Sequence, residues 1–442
     1  MRNVIRAGLI TLAALTLAAA HGAPVARTQL PNGLTVIAAP GDASRIAGIA
    51  VVIGSSMADE PAGLRGARAM LQQLIVLSSH QQINEQLTPI SSFIDARSSG
   101  LGVNTDWEFV EAALAVHVEE LDAGLQLLAG QVFGAQITQE QFDEARELVK
   151  RGYDISHESP VQDTFDLFRR AFYGAGPMGR SLQGDPDSID AMTLEGLQAF
   201  RDAQYVAADA VVCVVAPMSA DEITAAVTAA FGALPTLPAP PAAEVPAPPP
   251  DSRVEAGDAA GLVQASMVVG VPLPPVDDPK YIAGEMVGQL LDGRGGRLRR
   301  DLSLLQALGL AIPTRLLEQH YPIGVLPMSM SRQPFLAVHA LCSPNTIEQV
   351  RRGLLRHLLA LRTGGVTDAE LERARRRVIN GHLLANQRPV ERALYLAGRG
   401  LFGLGDVDQA VAAAQAVTAD DLIAVVDDYF GRHAVGVQMP AS

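Results

Sequence analysis

Residues 172–217 read FYGAGPMGRSLQGDPDSIDAMTLEGLQAFRDAQYVAADAVVCVVAP. A glycine-rich loop, Tyr173–Arg180, leads into a helical pattern over Asp187–Asp202 and then into an apolar run, Asp209–Val215. A short, continuous, β-branched run predicts a buried strand. Ser219 then caps a further helix that runs to Gly232, with Asp221 and Glu222 in its first turn. One stretch thus holds strand and helix in alternation, and the rest of the chain repeats the rhythm on both sides of it.

Toward the N-terminus, Asn32-Gly33 marks a hairpin within Thr28–Ala38, and Ile49–Ile53 reads as a strand. A polar turn, Gly54-Ser55-Ser56, precedes Pro61–Leu77, PAGLRGARAMLQQLIVL. There Leu64, Ala67, Leu71, Leu74 and Ile75 recur at helical spacing. The pattern predicts a second helix around Gln81–Leu87, one strand within Gly100–Leu114, and helices over Val118–Gly134, Thr138–Ser156 (capped by Thr138) and Val161–Phe172.

Toward the C-terminus the composition shifts. Eight prolines fall between Pro235 and Pro250, an extended, semi-rigid linker. Beyond it, Ala260–Val271, Met328–Arg332 and Phe335–Leu341 read as strands. Asp278–Asp292, Leu298–Leu308, Pro344–Thr363, Thr367–Gln387, Pro389–Phe402 and Thr418–Phe430 read as helices. Tyr205–Gly232, strand then helix, finds its partner in Phe335–Thr363, which suggests an internal duplication. The expected fold class is α+β: two homologous α/β half-domains, each an antiparallel-rich sheet with helices on one side. The expected divisions are a targeting segment at 1–22, a first half at 23–234, the linker at 235–254 and a second half at 255–442.

The 442 residues are 48% hydrophobic and 19% charged, and the formal charge is −14. That balance argues against a nucleic-acid partner, since such binding depends on a basic surface. Arg2 and Arg6, the uncharged Ala7–Ala20 and the small residues before Ala23 form a signal-peptide pattern. The core of that segment is too short for a span, and no other stretch is apolar and long enough, so no transmembrane segment is expected in the mature chain. Export to the periplasm of a Gram-negative bacterium is the expectation. Cys213 and Cys342 each sit in an apolar run and read as buried strand thiols, although a disulfide between them stays open.

Set in order, these motifs resemble the insulinase–pitrilysin peptidase family, including its two-subunit members such as the mitochondrial processing peptidase. Thr28–Ala38 is similar to the family's L-x-N-G-L hairpin, and Gly54-Ser55 with Asp59-Glu60 to its G-S turn and following acid. Gly66 stands where G-x-A-H begins. Residues 172–217 hold counterparts of P-x-G-R, of G-x-x-x-x-I and of the strand that follows. Leu290–Ala311 is similar to the stretch that ends in G-L-A-Y. The resemblance covers roughly residues 28 to 435.

The resemblance implies a zinc site of H-x-x-E-H on the first helix plus a glutamate on a later one. Histidines at i and i+4 share a helix face, and the glutamate polarises a metal-bound water. In the register set by Gly66, the two histidines fall on Ala69 and Gln73 and the glutamate on Gln72. Ala69 has no donor atom, and neutral amides neither ionise nor suit zinc. Gly152, preceded by Lys150 and Arg151, stands where the third ligand is expected. The eight mature histidines offer no replacement pair at zinc spacing. No metal is therefore expected in this chain.

The resemblance also implies a substrate edge strand, here Gly102-Val103-Asn104-Thr105, and an Arg/Tyr pair from the second half. His339 falls near the Arg position and Arg332 lies just upstream. The leading expectation is a non-catalytic subunit that completes a chamber for a peptide or unfolded polypeptide together with a zinc-bearing paralogue. The alternatives are a free-standing envelope binding or scaffold protein and an active metalloendopeptidase with relocated ligands.

Overall fold

The computed structural model describes residues 24–41, 44–77, 81–83, 86–88, 100–134, 136–243, 245–259, 262–292, 295–300, 323–327 and 331–441. The targeting segment, residues 301–311 and positions 328–330 lie outside the described residues. Of the helix expected over Leu298–Leu308, only the start is therefore described.

The strands of the first half are β1 (Ala26–Gln29), β2 (Thr35–Pro40), β3 (Ile46–Ile53), β4 (Gln81–Ile83), β5 (Gln86–Thr88), β6 (Leu101–Thr105), β7 (Val110–His117) and β8 (Ala210–Ala216). Six of them form one sheet in the order β1-β2-β8-β3-β7-β6, and β4 pairs with β5 as a separate ladder. The second half contributes β9 (Arg253–Ala259), β10 (Ala265–Pro272), β11 (Ile323–Pro327), β12 (Phe335–Cys342) and β13 (Ala434–Pro440). These form a five-stranded sheet in the order β11-β12-β10-β13-β9. In each large sheet the first and last strands of the repeat, β2 with β8 and β9 with β13, pair parallel, and every other pairing is antiparallel. Setting β1 aside, the two large sheets share one topology.

The shared topology supports the duplication but corrects its correspondence. Strand β8 matches β13, and β12 matches β7. Tyr205–Gly232 and Phe335–Thr363 are therefore not equivalents. Both have a helix after a buried strand, a local pattern that recurs within each half and does not fix position in the sheet.

Helices of the first half are α1 (Ala67–Leu77), α2 (Leu121–Ala129), α3 (Gln139–His157), α4 (Pro160–Tyr173), α5 (Pro186–Ala191), α6 (Leu194–Gln204) and α7 (Ala220–Phe231). Those of the second are α8 (Tyr281–Leu291), α9 (Arg297–Arg300), α10 (Ile347–Leu359), α11 (Leu361–Gly364), α12 (Asp368–Leu384), α13 (Pro389–Leu401), α14 (Val407–Ala416) and α15 (Ala419–Tyr429). Full capping boxes start α3 (Thr138 with Gln141), α7 (Ser219 with Glu222) and α12 (Thr367 with Glu370).

Each large sheet is buried on both faces. Its own helices cover one face, and a single helix from the other half covers the second. Helix α13 lies on β3 and β8, with Ala393, Leu396 and Ala397 packed against Ile37, Ala50, Val52 and Val211. Helix α4 lies on β13, β10 and β9, with Phe168 and Phe172 packed around Phe335. Double burial explains the unbroken apolar run of β8 and the run of β10 that only Ser266 interrupts. Cys213 and Cys342 are free, buried, and sit in different sheets.

Three expected elements differ. Gly100–Leu114 is a hairpin, because Asp106 takes the Trp107 N–H at 2.6 Å on its side chain and gives its own N–H to the Phe109 carbonyl at 2.9 Å. Within the helix expected around Gln81–Leu87, β4 and β5 pair as antiparallel strands, so their backbone groups bond across the ladder. Asp187–Asp202 is broken into α5 and α6 at Thr193, whose side chain caps α6. The proline segment is not free of the body. It bridges α7 and β9 while Gln333 holds the Pro246 carbonyl at 3.2 Å.

Candidate functional site at the first helix

The helical pattern over Pro61–Leu77 begins as a separate short turn, and α1 proper starts only after Gly66, whose φ is +90°. A Cβ there would lie 2.6 Å from the Gln183 carbonyl oxygen, and one at Gly184 (φ +81°) 2.7 Å from the Gly66 Cα. The two glycine motifs singled out in the sequence thus meet each other, backbone on backbone.

Glu60 receives the freed end of the helix. Its carboxylate accepts the N–H of Gly66 and of Arg68, each at 3.0 Å, and so satisfies two of the donors that a helix start leaves open. Burial pushes its carboxyl above the ordinary range, against the pull of Arg68 and those two donors. Arg68 is itself fully buried. Its Nη1 donates to the Ser55 carbonyl at 2.6 Å and the Asp106 carbonyl at 2.8 Å, and its Nε lies 3.6 Å from Glu60. One side chain therefore ties α1 to the turn after β3 and to the β6–β7 turn. The family motifs give Arg68 no role, although helical spacing from Leu64 and Leu71 already puts position 68 on the buried face.

This brace fixes the face that carries the degenerate positions. Ala69, Gln72 and Gln73 are all half-buried. Ala69 packs on the core. Gln72 turns to strand β6, where its Nε2 donates to the Val103 carbonyl at 3.2 Å. Strand β6 is the last strand of its sheet, so one side of its backbone has no strand neighbour among the described residues. Along it Gly102 and Asn104 are exposed, Val103 is half-buried and Thr105 is buried. Asn104 is engaged with Glu111 at 3.2 Å. Helix α3 packs on α1 and carries Gly152 on an exposed turn, where a Cβ would meet nothing within 4 Å. Beside it, Lys150 is paired with Asp190 at 2.8 Å.

The structure does not gather the two second-half residues at this face. Arg332 lies at the junction of the halves, its backbone N–H on Glu108 at 2.8 Å and its guanidinium near Phe402. It shares a small recess with Asp59, Glu108, Asp209 and the linker residues 240–243. Asp209 is half-buried and close to Asp59, and its carboxyl is pushed up to about 6, mainly by that burial. His339 lies on the second sheet, on the face that α4 covers, and its Nε2 meets the Ser266 hydroxyl at 3.2 Å. Burial alone pushes that imidazole down to about 4, so it is neutral at physiological pH.

The α1 face does not fit zinc. Two amides and a methyl group supply no thiolate, imidazole or carboxylate, and one of the amides is already committed as a hydrogen-bond donor. Among the described residues, no three His, Cys, Asp or Glu side chains are grouped to hold a metal ion.

Known proteins share this sequence and geometry. The family model described as "Peptidase M16 inactive domain" matches residues 191–378, from the end of α5 into α12. The chain is 26% identical over 428 residues to an uncharacterised zinc protease of Streptomyces coelicolor, covering 93% of this chain and 89% of that protein. It is 27% identical over 381 residues to one of Mycobacterium leprae, covering 83% and 80%. The chain is thus similar to M16 (insulinase–pitrilysin) peptidases, through a family match over residues 191–378 and through relatives 26–27% identical to it. Its fold is that of two solved structures, each 17% identical to it. A protease from Helicobacter pylori superimposes with a TM-score of 0.80 over 94% of this chain and all of that one. A peptidase M16 inactive domain from Pseudomonas fluorescens does so with 0.79 over 95% and 98%. The family match lies outside α1, so it is the residues of that helix that speak against a zinc site. The matched model and one of the two structures carry the name of the M16 inactive domain.

Proposed function

We propose that this chain is the non-catalytic subunit of a periplasmic M16 zinc metallopeptidase and completes a peptide chamber with a zinc-bearing paralogue. The observation that carries this reading is the Gln72–Val103 hydrogen bond. A general base must present a lone pair to a metal-bound water. Gln72 instead presents an N–H to a backbone carbonyl, which an ionised carboxylate could not do. A two-chain chamber needs only one metal site, so its loss here is tolerated where a partner supplies zinc. The edge of β6, which has no strand neighbour among the described residues, supports the handling of extended polypeptide, since a sheet edge can take on one more strand. The N-terminal signal pattern supports export.

The test is metal content and peptide hydrolysis of the mature chain, alone and mixed with a paralogue bearing H-x-x-E-H from the same source. No zinc in the chain alone, with hydrolysis appearing or rising on mixing, is the expected result. Stoichiometric zinc and turnover by the chain alone would overturn the reading.

A further inference from the structure

Apart from the α1–β6 contact, a cleft of about 570 Å³ opens between the end of α3, helix α4 and the loop 174–185. The second half closes one corner of it, through Gly257 of β9 and Gln438 of β13. The guanidinium groups of Arg65, Arg170 and Arg180 line the cleft. Among the described residues, that of Arg65 is held only by Asp185 at 3.7 Å, and its Nε is buried without a hydrogen-bond partner. Arg180 is half-buried, and its guanidinium makes no ion pair or hydrogen bond with any described residue. The two cations stand near enough that burial and Arg65 together hold Arg180 below the usual guanidinium range.

The cleft also has an acidic wall. Asp163 and Asp166 flank His157, whose Nε2 lies 3.7 Å and 3.4 Å from them. The imidazole stacks on Tyr153 with ring centres 3.9 Å apart. Two under-neutralised arginines favour an oxyanion, and their planar forks match a carboxylate. Four carboxylates line the same cleft, Glu60, Asp163, Asp166 and Asp185, and they disfavour a compact dianion and attract a cation. The complementary ligand therefore carries both signs, separated by an apolar stem that the Tyr153 ring can cover.

We propose that this cleft binds the C-terminal end of a short basic peptide, with its terminal carboxylate on Arg65 and Arg180 and its cationic group at Asp163 and Asp166. The volume suits a small ligand of two or three residues. The site lies wholly within this chain, so the inference does not depend on the two-chain reading and is tested without a partner.

The experiment is calorimetric titration of the mature chain with three probes: the tripeptide Ala-Ala-Lys, its C-terminal amide, and inorganic phosphate. The free acid binds saturably and one to one. The amide and phosphate each bind at least ~10-fold more weakly, the loss expected of one charge-assisted hydrogen bond. Arg180→Gln lowers the free acid to the level of the amide. Arg65→Gln does the same, and serves as the reading variant if Arg180→Gln does not fold. Equal binding of acid and amide overturns the proposal. So does phosphate binding as tightly as the tripeptide, which would mark a simple anion site, or no saturable heat from the tripeptide at millimolar concentration.

Discussion

Helices α4 and α13 cross between the halves in opposite directions and meet the opposite sheets with different chemistry. Both begin with a proline, Pro160 and Pro389, whose fixed φ suits a first turn. Helix α13 uses small residues, and its backbone comes so close to β3 that a Cβ at Gly48 would lie 2.2 Å from the Pro389 carbonyl carbon. Helix α4 uses bulk. Phe165, Phe168 and Phe172 surround Phe335, and the fully buried Arg169 lies over the Trp107 ring at 4.6 Å. On the second sheet the glycines yield to helix backbone at one point and to a ring at another. A Cβ at Gly436 would lie 2.4 Å from the Thr164 carbonyl oxygen, and one at Gly270 2.6 Å from the Phe168 ring. The same crossing is thus held by backbone contact on one side and largely by aromatic packing on the other. The first cannot adjust, whereas the second can.

The largest expected effect follows from that difference. Gly48→Val and Gly436→Val each place a side chain into helix backbone, and each should cost ~4 kcal/mol or abolish cooperative folding. Gly270→Ala should cost less than Gly48→Ala, because a ring can turn where a proline carbonyl cannot. Urea unfolding of the four variants measures this. Wild-type stability in either valine variant would break the crossed arrangement, and equal cost of the two alanines would erase the contrast.

Arg68→Ala comes next. It removes the ties to Ser55 and Asp106 and takes away the cation beside the buried Glu60, a change worth ~3 kcal/mol. The counterpart of α1 in the second half, α8, buries Tyr281, Met286, Val287, Leu290 and Leu291 and no arginine. Arg68→Met keeps the volume without the charge, and should recover little of the loss while Glu60 stays. Full recovery would show that α1 is held, like α8, by packing alone.

At the seam between the halves a smaller, pH-dependent effect is expected. The Asp209 carboxyl titrates at about 6 in the fold against an ordinary 3.8. A raised folded value means that its contribution to stability is full below the unfolded value and is lost as pH rises through about 6. Asp209→Asn should therefore melt a few degrees above the wild type at about pH 8, and the gap should close toward about pH 4. Melting curves across that range decide it. A gap that widens as the pH falls has the wrong sign.

Local chemistry makes part of this molecule legible in advance. Asn32-Gly33 marks the first hairpin, and the Thr138 and Ser219 caps mark helix starts that the fold keeps, because each signal acts within four residues. Strand β9 carries no such signal. Arg253–Ala259 is an almost fully exposed edge without alternation, paired through its backbone to β13. The crossing of α4 and α13 is hidden for another reason. Helical periodicity shows that a face is buried but does not name the sheet that buries it. At the candidate site the losses at Ala69, Gln72 and Gln73 can be read from register alone. The new bond from Gln72 to Val103 cannot, since it joins residues 31 apart and reaches a strand whose turn, at Asp106, the apolar residues on both sides disguise as continuous strand.

The smallest effect is expected where the sequence change looks largest. Ala69→His, Gln72→Glu and Gln73→His together restore H-x-x-E-H on α1, yet they should yield no zinc-dependent hydrolysis above background. Two histidines leave zinc one protein ligand short of the usual three. Helix α3 offers only Gly152 at that place, just after an ion-paired Lys150 and an exposed Arg151. Adding Gly152→Glu supplies the missing carboxylate at a position where a Cβ meets nothing. Zinc titration should then separate the two variants, with tight stoichiometric binding only in the fourfold one. Tight zinc binding by the threefold variant would mean that another residue completes the site and that Gly152 is misplaced. If neither binds, the Arg68 brace and the Val103 contact have reshaped α1 beyond what its side chains alone can reverse, and the first half has moved as far from a metal site as its apolar counterpart α8.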